Sequence, residues 1–172
     1  ILDTELPIVG SRLQGFVPPV VERPAFAIRT RPRRVFPIEQ YVETGILTSK
    51  DDPANRSRER QSFAETVQGL SHSEVLQAAI KHRRNLLIVG STGSGKTTLV
   101  NACLELIKRF CPNDRVLSIE DTMELQSPVE NRVDLRAIGE ITMLQCLRAS
   151  LRMKPKRIVV GEVRGSEALV ML

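Results

Sequence analysis

The chain has 172 residues, 41% hydrophobic and 26% charged, with a net charge of +5 and only 3% aromatic residues. That is enough for one good core or two small ones in a globular protein. It excludes a membrane-spanning apolar run, argues against a base-stacking surface as the main function, and suits an anionic partner without naming it.

Residues 1–45 carry short apolar runs among Pro7, Pro18, Pro19, Pro24, Pro32 and Pro37. Prolines at such intervals predict short β-strands with edges and turns between them. The stretch is short for a whole β domain and is read as the end of a longer N-terminal domain. Asp3, Glu5 and Pro7 break any signal-peptide pattern at the start. Arg29, Arg31, Arg33 and Arg34 form a basic cluster, either a solvated face or a phosphate-contacting surface.

Residues 46–70 are polar and mixed in charge and read as a linker. A helix is expected from Ser71, where Ser71 and Glu74 fit a capping box and Val75, Leu76, Ala79 and Ile80 form an apolar stripe. His82 lies near the helix end, where a positive charge is favoured, and needs no catalytic role; His72 is expected to be exposed. Cys103, Cys111 and Cys146 have no metal-ligand spacing and read as thiols of a reducing compartment.

Leu86-Leu87-Ile88-Val89 is a continuous apolar run, expected to be a buried parallel strand. Gly90-Ser91-Thr92-Gly93-Ser94-Gly95-Lys96-Thr97-Thr98 follows, which is GxxxxGKT. Its glycines allow a tight turn whose N–H groups cradle phosphates at a helix start. Lys96 is expected to reach the β- and γ-phosphates and the Thr97 hydroxyl to coordinate Mg²⁺. Thr98 is read as beginning the helix, with Leu99, Val100, Cys103, Leu104, Ile107 and Phe110 at helical spacing.

Arg115 to Ile119 reads as the next strand, followed at once by Glu120, Asp121 and Glu124. Acids at the carboxyl end of a parallel strand sit where such sheets bind ligands, and can hold a metal-bound water or act as a base. Val133 to Arg136 is a short strand, and Ile141, Leu144, Leu147 and Leu151 fit a helix ended by Lys154-Pro155-Lys156. Arg157 to Val160 is another buried strand, with Glu162 after Gly161 in the manner of a Walker B acid. A further helix is expected from Ser166 to Leu172.

Together these motifs resemble the secretion ATPases of type IV secretion, conjugal transfer, type II secretion and type IV pili. Residues 91–98 resemble the Walker A motif, 119–125 the acidic Asp box, and 151–158 with 161–164 the Walker B region. Gly10-Ser11-Arg12, Pro18-Pro19-Val20 and Ala27-Ile28-Arg29 resemble the end of that family's N-terminal domain, and the phrasing is closest to the conjugal-transfer branch. The only histidines precede the phosphate loop, whereas the family carries a His box after Walker B. The sequence therefore reads as a piece of a longer protein.

The resemblance implies an α/β fold: a RecA-like P-loop NTPase core over 71–172, incomplete at its C-terminus, preceded by a linker (46–70) and a partial α/β N-terminal domain (1–45). It implies ATP and Mg²⁺ as cofactors, with Thr97 and Glu162 at the metal, and Lys96, Glu120, Glu162, Arg12 and Arg29 acting on the phosphates and the attacking water. Either Glu120 or Glu162 would orient that water. The implied assembly is a homo-oligomeric, hexameric ring, cytoplasmic and docked on inner-membrane secretion or conjugation proteins, with possible contact to acidic lipids or nucleic acid. The alternatives from other classes are a P-loop small-molecule kinase and a non-enzymatic nucleic-acid-binding RecA-like module.

Overall fold

The computed structural model describes residues 1–7, 10–32, 34–47 and 56–163. Arg33, Arg164 and the helix expected from Ser166 lie outside them. Two compact units emerge, one of Ile1–Thr30 with Ala79–Leu172, the other of Arg31–Ala78.

The first unit holds two sheets. β1 (Leu2–Glu5), β2 (Arg12–Phe16) and β3 (Ala25–Arg29) form an antiparallel meander. α4 (Lys96–Phe110) leads into β4 (Val116–Glu120), which is the centre of a parallel sheet. β5 (Arg132–Arg136) pairs on one side of β4 and β6 (Arg157–Val160) on the other. α5 (Met143–Ser150) and a 3-10 turn (Leu151–Met153) connect β5 to β6. Every residue of β4 is buried, as a strand between two neighbours and covered on both faces must be.

The register separates the two faces of this sheet. Leu117, Val133 and Ile158 make one row and Ile119, Leu135 and Val160 the next, all on one face. These six share a core with Cys146, Leu147 and Ala149 of α5, with Met153, and with Phe16, Val20 and Val21 from the loop side of the meander. The 17–24 loop is also bonded to the sheet, since Arg136 N donates to the Val20 carbonyl at 2.7 Å.

The opposite face is polar. Ser118 stands beside Asp134 and donates to its Oδ1 at 2.7 Å, and Glu120 follows one row on. Arg157 opens the row of Val116 on this face. Its guanidinium donates to Asp114 Oδ2 (2.8 Å), the Ile80 carbonyl (2.8 Å) and Cys111 Sγ (3.1 Å). Arg83, at a φ of 51°, closes on the same Asp114 carboxylate at 2.8 Å. One buried acid thus ties the segment around Ile80 and Arg83, the end of α4 and the start of β6 at the amino end of the sheet. The cysteines are free, and burial pushes the Cys103 thiol up and that of Cys146 up to about 11.

The second unit contains α1 (Ile38–Glu43), α2 (Arg56–Val67) and most of α3 (His72–Lys81). α2 occupies part of the stretch read as a linker, and its polar sequence gave no apolar stripe to reveal it. α3 starts as expected: Glu74 N donates to Ser71 Oγ at 3.4 Å and Ser71 N to Glu74 Oε2 at 2.8 Å.

The strand expected at 86–89 is not formed. Leu87 is 86% exposed and Val89 81%, and the segment has no strand assignment. A strand exists only with a ladder partner, and among the described residues none pairs with this run. The other helices also differ in detail. α4 begins at Lys96 rather than Thr98, because Gly95 at φ 86° already serves as its N-cap. α5 begins later than the apolar pattern suggests, because Thr142 and Gln145 form a capping box that sets its start. Leu151, expected on the helix stripe, lies in the 3-10 turn and is exposed.

Candidate functional site

The phosphate loop is the link between residues 86–89 and α4. Gly93 (φ 77°) and Gly95 (φ 86°) both adopt the left-handed conformation that other residues resist. A Cβ on Gly90 would lie 2.5 Å from Ser94 Oγ, so the loop closes on itself there too. Lys96 Nζ donates to the carbonyls of Gly90 (2.9 Å) and Ser91 (2.7 Å), which curls the loop around its own ammonium group. Ser91, Thr92, Gly93 and Ser94 are exposed along the loop, and Thr97 and Thr98 fall in the first turn of α4.

The acidic segment after β4 lies beside that turn. Glu120 ends β4 and is 3% exposed. Its Oε1 accepts the backbone N–H of Glu124 (3.0 Å) and of Leu125 (3.1 Å). Its Oε2 is buried and has no hydrogen-bond partner among the described residues. Burial pushes the Glu120 carboxyl above the usual carboxylate range, opposed by those two backbone N–H groups. Gly161 packs so closely that a Cβ there would lie 2.9 Å from Glu120 Cγ. Gly161 N also donates to the Ile119 carbonyl at 2.9 Å, extending the β4–β6 ladder past the strand end.

Two further bonds hold the segment against α4. Asn101 Oδ1 accepts from Gln126 N at 2.9 Å, and the Thr97 hydroxyl donates to Glu124 Oε2 at 3.4 Å. Glu124, one of the acids expected at the ligand-binding end of β4, therefore stands at the phosphate loop, through a partner, Thr97, that the sequence pattern did not give it. The one signal was its spacing, four residues after Glu120 at a strand end.

Thr97 and Glu124 offer hard oxygen donors, which fits Mg²⁺. Among the described residues no group of three or more His, Cys, Asp or Glu could hold a metal alone. A magnesium ion here would take its other ligands from phosphates and water, as that ion commonly does.

The remaining expected residues are placed as follows. Glu162 is exposed, two residues beyond β6. Arg12 and Arg29 are exposed and stand opposite each other on β2 and β3. Arg12 also lines an open cavity of about 280 Å³ with Asp3, Thr4, Glu5 and Arg152. Among the described residues, no hydrogen bond or ion pair joins Arg12 or Arg29 to the phosphate loop. No helix among the described residues is long and apolar enough to cross a membrane.

The chain is similar to several known proteins. The chain is 39% identical, over its full length, to a probable conjugal transfer protein TrbB of Sinorhizobium fredii, covering 46% of that protein. It is 32% identical over 98% of its length to the type IV secretion system protein VirB11 of Bartonella quintana, covering 52% of it. The chain thus spans about half the length of these curated relatives. The crystal structure of the VirB11 ATPase from the Brucella suis type IV secretion system, in complex with sulphate, superimposes with a TM-score of 0.79 at 31% identity. That match covers 97% of this chain and 51% of that one. The mixed α/β architecture with its parallel sheet is thus that of the VirB11 ATPase fold. Residues 57–172 match the family described as Type II/IV secretion system protein, and the chain belongs to that family.

Proposed function

We propose that this chain is the nucleotide-binding part of a motor ATPase that powers type IV secretion or conjugal transfer. The observation that carries the reading is the juxtaposition of the glycine-cradled loop at the start of α4 with the acidic segment that ends β4. ATP binds with its phosphates in the 90–98 loop. The loop N–H groups and Lys96 neutralise the phosphates, and Thr97 holds Mg²⁺. When bound, the metal supplies charge stabilisation to the phosphoryl group.

Glu120 is the acceptor for the proton of the attacking water. Its buried Oε2, unpartnered among the described residues, supports this role, because such an oxygen costs free energy until a donor reaches it. Glu162, beyond β6, is assigned to the metal's water shell. Arg12 and Arg29 are assigned to the phosphates as charge partners, which the transferring group needs in its transition state. The domain plan behind this reading is residues 1–45 from an N-terminal domain, 46–70 a linker and 71–172 a RecA-like core.

The assembly proposed is a ring of identical chains, hexameric by analogy with the family, docked from the cytoplasm onto inner-membrane secretion or conjugation proteins. The exposed Arg31 and Arg34 offer positive charge to such partners or to acidic lipids.

The test is Mg²⁺-dependent phosphate release from ATP over a range of protein concentrations. A per-chain rate that rises with concentration is expected of sites completed by neighbouring subunits. Failure to bind ATP at all overturns the reading. Binding without turnover assigns hydrolysis to the longer protein and leaves this chain as its nucleotide-binding part.

A further inference from the structure

The Thr97–Glu124 hydrogen bond has a direction. The threonine hydroxyl gives its only proton to a carboxylate oxygen that can only accept. That leaves the lone pairs of Thr97 Oγ1 for a cation. A carboxylate that fixes a ligand in this way controls how well the ligand binds.

Glu124 is itself held in place. Its backbone N–H and that of Leu125 both point at Glu120 Oε1, at 3.0 and 3.1 Å. Gln126, two residues on, is bonded to Asn101 on α4 at 2.9 Å. Gly161 admits the Glu120 side chain only because it lacks a Cβ. The segment from 120 to 126 is thus pinned at three points, and its exposed Glu124 carboxylate is bonded to Thr97 of the phosphate loop.

From this we propose that Glu124 is a positioning residue for magnesium. It orients the Thr97 hydroxyl toward the phosphate-bound ion, and Glu120 holds it there through Oε1. Glu120 then has two separate tasks, one for each oxygen. The metal-side carboxylate on this face comes from the segment after β4, in addition to the Glu162 that the Walker B pattern suggested. The inference rests on the nucleotide-binding reading of the loop.

The test is the affinity of a fluorescent ATP analogue for the full chain, with Mg²⁺ and with a chelator. The quantity read is the ratio of the two affinities. Glu124→Ala is expected to lower that ratio about tenfold or more, the usual size of such an effect. Thr97→Ala is expected to lower it as well. The double variant should lose no more than Thr97→Ala alone, because the two residues act through one bond. Glu124→Asp, with a shorter reach, should fall between wild type and Glu124→Ala.

A Glu124→Ala chain that keeps the wild-type ratio overturns the inference and leaves the nucleotide reading standing. So do additive losses in the double variant, since they make the two residues independent. A wild-type chain that binds the analogue equally with and without the metal overturns this inference alone; one that binds it in neither condition overturns the nucleotide reading and this inference with it. Glu124 is exposed, so its removal leaves the core intact. A Glu124→Ala chain that still binds the analogue in chelator confirms that the variant is folded.

Discussion

Arg12 on β2 and Arg29 on β3 are direct cross-strand partners, with Glu5 on β1 completing the row. Like charges directly opposite each other destabilise a sheet by about 0.2–1 kcal/mol. Glu5 offsets Arg12 from one side, but Arg29 stands on the far strand. A pair of this kind is suited to an anion that both guanidinium groups can share.

The expected outcome for Arg29→Gln is therefore twofold. At low ionic strength the variant should melt slightly higher than wild type, by the equivalent of about 0.5 kcal/mol, and the gain should vanish in high salt. Its ATP turnover should fall. Thermal melts at two salt concentrations and a phosphate-release assay check both halves. A wild-type rate would return Arg29 to the solvated surface.

Lys96 supplies charge to the loop and also hydrogen bonds to two of its carbonyls. Lys96→Ala removes both, so triphosphate affinity should drop by tenfold or more, about 1.4 kcal/mol or above. Lys96→Met would keep most of the side-chain bulk and lose the charge. Similar losses in both variants, measured by titration calorimetry, would assign the effect to the ammonium group.

Glu120 and Gly161 are packed too closely for independent change. Gly161→Ala places a methyl group 2.9 Å from the buried Glu120 side chain. Overpacking of this sort costs about 1–3 kcal/mol. The displaced carboxylate should also release the N–H groups of Glu124 and Leu125. Faster amide exchange at 124 and 125 would reveal it. Glu120→Gln keeps the shape and an acceptor, so it should bind ATP almost normally while hydrolysis stops.

The buried Asp114 carboxylate is held below its ordinary range, first by the Arg83 guanidinium and also by Arg157, against the opposing effect of burial. A depressed acid contributes stability that is present above its unfolded value, about 3.9, and is lost as pH falls toward the lower folded value. Stability should therefore decline below about pH 4. In Asp114→Asn that part of the acid sensitivity should disappear. The same variant should lose about 3 kcal/mol at neutral pH, the lower end for breaking a buried pair, because Arg83 is half-exposed. Denaturant unfolding at pH 7 and pH 3 measures both.

The central part of the fold was legible because its signals are local. β4 is a mainly apolar run, broken by Ser118 and ending in an acid, and the structure places it one residue later than the sequence suggests. The Ser71–Glu74 cap reads directly from residue types. The same reasoning failed at Leu86–Val89, because an apolar run says that a strand is possible and not that a neighbour is there to pair with it. Thr142 and Gln145 have the residue types of a cap, but the apolar spacing begins one residue earlier, at Ile141. At the site, the loop and its glycines follow from the motif alone. The grip of Glu120 on the 124–125 backbone does not, since it depends on how the chain reverses after β4. The motif gives Gly161 no role of its own, and its tight contact with Glu120 is visible only in three dimensions.

The unpaired run before the phosphate loop bears on how firmly the nucleotide cradle is built. β4 is bonded on both sides and buried throughout, so its amides should open only with the whole unit. The backbone at 86–89 has no ladder on either side among the described residues, so it should open almost freely. The cradle hangs from this segment at one end and from α4 at the other. Its shape is then set mainly by bonds inside the loop, those of Lys96 foremost. Ordering it around a nucleotide carries an entropic cost, and any further strand laid against 86–89 would raise affinity by removing that cost, without touching the ligand.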